Sequence, residues 1–110
     1  MIVFKKVKDI ELFLKKREKS NPPIAFVPTM GALHRGHISL IDTAKADKLF
    51  TVCSIFVNPT QFNNHQDFNK YPITIEKDIY LLEKAGCDVL FLPSAEEIYP
   101  DGQKKLAQYN

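Results

Sequence analysis

Apolar positions along the chain follow two rhythms: short continuous runs, and stretches spaced at three and four residues. Three of the runs read as buried strands, Ile24–Val27, Phe50–Val57 and Val89–Leu92. The second is rich in β-branched and aromatic residues and hardly alternates with polar ones, the pattern of a strand covered on both faces in a parallel sheet. Met1–Phe4 supplies a further, shorter strand. Helical spacing fills the gaps. Val7, Ile10 and Leu14 share one face of a first helix, with Asp9 and Glu11 early and Lys15, Lys16, Arg17 and Lys19 late, and Pro22-Pro23 forbids its continuation. A second helix is predicted to begin near Gly36 and to bury Ile38 and Ile41. A third runs from an N-cap at about Thr74 through Ile75, Ile79 and Leu82 to a terminator at Gly86. Ser94-x-x-Glu97 has the spacing of a capping box for a short final helix.

Strands alternating with helices predict an α/β fold: a Rossmann-like parallel sheet with flanking helices, wound right-handed. Three or four strands make a narrow sheet whose outer edge would stand open unless something covers it. The 110 residues fit one domain, and neither repeats nor an internal linker divides them.

Charge and composition narrow the function mainly by exclusion. Fifteen basic and thirteen acidic residues leave a formal charge of +2, which gives no electrostatic reason to expect nucleic acid or an anionic membrane as partner. The basic cluster at Lys15–Lys19 reads as a solvated helix end whose cations sit near the negative pole. Cys53 and Cys87 have no CxxC spacing and lie in apolar stretches, so they are expected to be buried, reduced thiols. Lys5 and Lys6 interrupt the apolar start at once, and no run approaches the roughly 20 residues that span a bilayer. These features predict a cytoplasmic protein.

The stretch richest in chemistry is Pro28-Thr29-Met30-Gly31-Ala32-Leu33-His34-Arg35-Gly36-His37, between the strand ending at Val27 and the second helix. Ligands of open parallel sheets bind beyond the carboxyl ends of the strands, where this loop must lie. Two of the four glycines fall in it, and glycine permits positive φ and close approach of a ligand to backbone. The following helix is expected to point free N–H groups and its positive pole at the loop, a natural place for phosphate. His34 and His37, two of the three histidines, are three residues apart across the helix start, so both rings can reach one ligand. Either can donate to a phosphate oxygen, and the cationic form is accessible when an anion binds. Such donors stabilise charge that builds on the α-phosphate as pyrophosphate leaves. A metal pair or a merely capped helix start are the alternatives. A metal would need more ligands, and His65 with no suitably spaced Cys or acidic cluster does not supply them, so no metal site is predicted. The second strand runs out into Asn58-Pro59-Thr60-Gln61-Phe62 beside the first loop, where Gln61 offers a donor and an acceptor and Phe62 an apolar surface. Asp67, Asp78 and Asp88 show no spacing that marks a paired-carboxylate site.

These residues carry a family resemblance. Phe26–His37 closely resembles the nucleotide loop of the pantothenate synthetase (pantoate–β-alanine ligase) family, and Val52–Phe62 resembles its second motif. The likeness continues through Asp67-Phe68, Tyr71-Pro72, Asp88–Ser94 and Ile98–Gly102, nearly the whole chain. HxGH alone marks a broad nucleotidyltransferase superfamily; the two long motifs in this order are specific to the one family. The resemblance implies a two-step reaction. The carboxylate of pantoate attacks the α-phosphorus of Mg2+-bound ATP to give pantoyl adenylate and pyrophosphate, and β-alanine then displaces AMP to give pantothenate. It implies that Met30, Gly31, Ala32, Leu33, His34, Arg35, Gly36 and His37 bind ATP. His37 is then the catalytic residue with His34 beside it, both acting on the phosphates by charge stabilisation. It further implies that Gln61, with Asn58, Pro28, Met30 and Phe62, binds pantoate and β-alanine. A homodimer through this region is a further implication.

Ile73 stands where the family usually carries arginine, so any ion pair made there is absent or replaced. Family members are well over twice this length, and their later half supplies the rest of the sheet, a lysine-bearing loop, a second glutamine and a C-terminal domain. Residues 1–110 are therefore expected to be a partial N-terminal nucleotide- and pantoate-binding domain, a truncated chain with little or no turnover alone. Two alternatives stand beside the enzyme reading: a non-catalytic half-domain that binds pantoate or nucleotide, and a different HxGH nucleotidyltransferase acting on a phosphorylated acceptor.

Overall fold

A computed structural model describes residues 1–17, 21–56 and 75–99. Its elements run β1 (Ile2–Phe4), α1 (Val7–Lys15), β2 (Ile24–Thr29), α2 (Arg35–Ala46), β3 (Phe50–Ile55), α3 (Ile75–Ala85), β4 (Val89–Phe91) and α4 (Ala95–Ile98). All four strands are parallel, in the order β1-β4-β3-β2. The α/β class and the flanking helices expected from the sequence are present.

Alternate side chains of the two central strands feed two cores. Val52 and Val89 face α1 and pack with Ile10, Phe13 and Leu14. Cys53, Ile55 and Leu90 face the other side and pack with Ile41 of α2 and Leu82 of α3. This two-sided burial explains why the Phe50 run shows no polar alternation. Phe13 links the first core to both neighbouring strands, its ring lying 5.2 Å from that of Phe4 and 6.2 Å from that of Phe50.

Strand β2 is longer than its apolar run, continuing through Pro28 and Thr29, which pair in register with Ser54 and Ile55. Proline is tolerated there because β2 is an edge strand, with no partner on its outer side among the described residues. Phe26, on that edge, is 58% exposed, as the expected open margin requires. Strand β3 ends at Ile55, and Val57 lies outside the described residues.

The predicted helix ends are found, with local differences. Gly86 closes α3 at φ +88, where the Cys87 amide reaches back to the Leu82 carbonyl at 3.0 Å. Helix α2 closes the same way with a non-glycine residue: Lys48 takes φ 59, and the Leu49 amide donates to the Ala44 carbonyl at 3.0 Å. Helix α2 buries Ile41 and Ala44, whereas Ile38 is only half-buried. The Thr74 cap lies outside the described residues. Ser94 caps α4 as its spacing predicts, accepting from the Glu97 amide at 3.2 Å. The Glu97 carboxylate does not return the bond. It accepts from the Val7 amide at 2.7 Å, capping α1 and tying the two ends of the described chain together. Arg17, from the basic cluster, lies 3.8 Å over the Phe50 ring and donates to the Pro22 carbonyl at 2.6 Å. Cys53 and Cys87 are buried and free. Among the described residues no helix is long and apolar enough to cross a membrane.

Candidate functional site

Strand β2 delivers its last residue, Thr29, at the carboxyl edge of the sheet, and the loop from Met30 to His34 carries the chain into α2. The bend is made by two successive residues in the left-handed region, Gly31 at φ +85 and Ala32 at φ 49. Only Gly31 lacks the Cβ that makes this region costly.

The amides of four consecutive residues are then satisfied by side chains. The Gly31 amide donates to Thr29 Oγ1 at 3.2 Å, and the Thr29 hydroxyl itself donates to the Ser54 carbonyl at 2.9 Å. The Ala32 and Leu33 amides donate to the two carboxylate oxygens of Asp78, each at 2.9 Å. The His34 amide donates to Nδ1 of His37 at 3.2 Å. One residue beyond Arg35, the Gly36 amide donates to Nδ1 of His34 at 3.0 Å. His34 is thus the N-cap of α2, and His37 reaches back to cap His34.

This pattern fixes the chemistry of the rings. An Nδ1 that accepts from an amide carries no proton, so each neutral imidazole holds its hydrogen on Nε2. The ring centroids are 4.1 Å apart, and each ring carries its Nε2–H on the side away from the amide that its Nδ1 accepts. Burial, followed by the charge of the neighbouring His34, pushes the proton affinity of His37 below the ordinary value of 6.5, while Asp78 opposes the shift. The neutral donor form is therefore favoured.

Gly36 is needed for a reason other than backbone freedom. A Cβ at this position would lie 2.9 Å from Cε1 and 3.2 Å from Nδ1 of His34, inside contact distance. The glycine leaves room for the His34 ring to fold back onto the helix start.

The structure brings Pro28, Met30 and the whole of Gly31–His37 to one edge. Leu33 turns its side chain into the core beside Ile41 and Leu82 and so anchors the loop from beneath. Asn58, Gln61 and Phe62 lie outside the described residues, as does Ile73. The expected free amides at the helix start are mostly engaged: the His37 amide, like that of Gly36, is taken up by the His34 side chain in a capping box, and among the described residues Arg35 supplies the amide left for a ligand. Among the described residues no group of three or more His, Cys, Asp or Glu side chains is placed to hold a metal ion.

Asp78 is the residue the motif reading misses. It is 1% exposed, on the inner face of α3 between Ile75 and Leu82. Its signal was a lone carboxylate on an apolar helical stripe, which burial permits only when the charge is satisfied. Asp88 is a second structural acid. Its Oδ2 accepts from the Thr51 amide at 2.8 Å and pairs with Lys45 at 3.0 Å, away from the loop at the amino ends of the strands.

Fold and loop together define the class: a Rossmann-like α/β domain with an HxGH loop at the carboxyl edge of its sheet. The chain belongs to the pantoate-beta-alanine ligase family, whose sequence profile matches residues 2–109. It is 55% identical over 100 residues to a pantothenate synthetase of Cytophaga hutchinsonii, covering 91% of this chain and 35% of that protein. A pantothenate synthetase of Aquifex aeolicus is 47% identical over 103 residues, with 94% of this chain and 36% of that protein covered. Among solved structures, the fold matches pantoate-beta-alanine ligase from Francisella tularensis, complexed with beta-gamma ATP and beta-alanine, with a TM-score of 0.85 and 49% identity. That match covers 93% of this chain and 39% of the other. Pantothenate synthetase from Thermus thermophilus matches with a TM-score of 0.78 and 41% identity, over 93% of this chain and 35% of that one. The chain thus spans little more than a third of the length of these relatives.

Proposed function

We propose that this chain supplies the ATP-phosphate half, and part of the pantoate site, of an enzyme that joins pantoate to β-alanine at the expense of ATP. The observation that carries the reading is the histidine pair at a strand's carboxyl end, its rings 4.1 Å apart and both Nδ1 atoms committed to backbone amides, which leaves Nε2–H as the donor of each ring. In the first step a carboxylate oxygen of pantoate forms a bond to the α-phosphorus of ATP, and the bond to the bridging oxygen of pyrophosphate breaks. Negative charge grows on the phosphate oxygens and on the departing pyrophosphate. His34 and His37 donate there through Nε2, and because their rings are already fixed little reorganisation is needed as the charge develops. Each such donor contributes on the order of 100-fold or more in rate. Pyrophosphate leaves as an anion, so neither ring has to surrender its proton.

Magnesium enters on the phosphates as part of the substrate, where it neutralises charge and orients the nucleotide. In the second step the amine of β-alanine forms a bond to the acyl carbon, and AMP departs with the oxygen that pantoate gave to phosphorus. Gln61, Asn58 and Phe62 are assigned to pantoate and β-alanine, with Pro28 and Met30 on the apolar side of the pocket. Family resemblance supports this assignment, as it supports pairing of two copies through this region.

The test is exchange of labelled pyrophosphate into ATP, run with the full-length protein that contains this chain. Exchange that requires pantoate and proceeds without β-alanine is expected. Exchange indifferent to pantoate, or driven instead by a phosphorylated acceptor, would overturn the reading.

A further inference from the structure

Four consecutive amides, from Gly31 to His34, each find a side-chain acceptor, and two of these acceptors are the oxygens of one buried carboxylate, 46 and 45 residues away from the amides it receives. Successive backbone N–H groups in a tight turn can converge on one point and form a concavity for an anion, and here the amides of Ala32 and Leu33 converge on a single carboxylate. Here that concavity is filled from within the protein. Asp78 reaches it from the buried face of α3, and its Oδ2 lies 3.3 Å from where a Cβ on Gly31 would stand. On the far side, Leu33 is held in the same core as Leu82, one helical turn beyond Asp78.

We propose that Asp78 is a positioning residue for the histidine pair. Its carboxylate locks the Gly31–Leu33 bend before any nucleotide arrives, which fixes the backbone of His34 and hence the direction of both Nε2–H donors. The inference rests on the reading of those donors as phosphate ligands. It adds that the amides of Ala32 and Leu33 serve Asp78 and not the nucleotide. The geometry requires an acceptor at both carboxylate positions. Asparagine keeps the shape but offers one acceptor and one donor, so one amide would face an N–H group whichever way the side chain flips. Glutamate keeps both oxygens and the charge on a longer arm, so it can satisfy the amides only by displacing the loop.

The experiment compares the full-length protein with its Asp78→Asn and Asp78→Glu variants. Leu82→Ala serves as a control that weakens the same helix–loop core without touching the amides. Three readouts are taken below every melting transition: kcat and pantoate KM for pantoate-dependent exchange, hydrogen exchange of the Ala32 and Leu33 amides, and the nitrogen chemical shifts of the two imidazoles without ligand. Displacing a reacting group by an ångström costs on the order of 100-fold, so Asp78→Asn should lower kcat by roughly 10- to 100-fold with KM changed less than about threefold. It should also expose the two amides and replace a single Nε2–H tautomer with a mixture. Leu82→Ala should leave kcat and tautomers near wild type. If Asp78→Asn does not fold, Asp78→Glu decides in its place, with the same loss of kcat expected. Wild-type kcat with unaltered imidazole signals in the folded variant overturns the proposal. So does an equal loss in Leu82→Ala, which would make Asp78 merely structural. A wild-type protein that shows no pantoate-dependent exchange would sink the functional reading instead. The amide and imidazole measurements would still decide whether Asp78 orients the pair.

Discussion

Replacing Gly36 with alanine separates stability from function at the helix start. The new Cβ would meet His34 Cε1 at 2.9 Å and Nδ1 at 3.2 Å, where carbon contacts settle near 3.5–4.0 Å. The ring must therefore retreat by roughly 0.5–1 Å, a distance set by the contact optimum. Moving it weakens the bond from the Gly36 amide, an N-cap interaction worth about 1 kcal/mol. Holding the ring off its rotamer costs about 0.5–1.5 kcal/mol more. Alanine returns up to about 1 kcal/mol through its better helix propensity, less so at the first turn. The net loss is about 0.5–2.5 kcal/mol, and each kcal/mol lowers the melting temperature of a protein of about 150–250 residues by about 2–4 °C, and of a longer one by less. The effect on the donors is out of proportion, because an ångström of displacement costs on the order of 100-fold in rate. Melting curves and pantoate-dependent exchange on the full-length Gly36→Ala protein should therefore show a mild loss of stability beside a severe loss of kcat. A variant that keeps wild-type kcat would refute the steric reasoning. So would one whose lost activity is fully explained by unfolded protein.

Lys48 sits at φ 59, which costs a side chain about 1–2 kcal/mol but glycine almost nothing. Lys48→Gly should therefore stabilise the chain by about 0.5–1 kcal/mol in urea denaturation, the glycine's extra unfolded-state entropy offsetting part of the gain. Burial and the neighbouring Cys87 push the Cys53 thiol up to about 12, so thiol reagents at neutral pH should modify it only as fast as the chain unfolds. Rapid labelling under native conditions would contradict the packing of the second core. The folded pKa of His37 lies below 6.5, so the neutral ring's contribution to stability is complete above about pH 6.5 and is lost as pH falls through the lower folded value. The melting temperature should accordingly fall on that acid side, and His37→Gln should flatten the slope.

Much of the fold was legible because burial and periodicity are the same fact. Phe50–Ile55 lacks polar alternation because both its faces are covered, and Ile10, Ile41 and Leu82 repeat at helical spacing because one side of each helix meets the sheet. The site's frame was legible for a similar reason. A strand, a glycine-bearing turn and a helix start come in sequence order, so their order in space follows. Interactions between distant segments were not legible. Asp78 holds the loop only because α3 packs beside α2, and no local spacing records that contact. Glu97 has the spacing to cap its own helix, yet it caps α1, since docking of α4 brings the Val7 amide closer to hand. Gly36 looked like a residue chosen for backbone freedom. Its actual constraint is the His34 ring, which becomes visible only once that ring has folded back.

In the proposed reaction the loop presents its histidine donors to an ATP whose α-phosphorus is attacked by a carboxylate. The most direct measurement follows the oxygen. Pantoate labelled with 18O in its carboxylate is supplied with ATP, magnesium and β-alanine to the full-length protein, and the phosphorus-containing products are weighed by mass spectrometry. One labelled oxygen is expected in AMP and none in pyrophosphate, because the acyl–oxygen bond breaks when the amine displaces AMP. Label in orthophosphate, or product formed with no label on AMP, would contradict it.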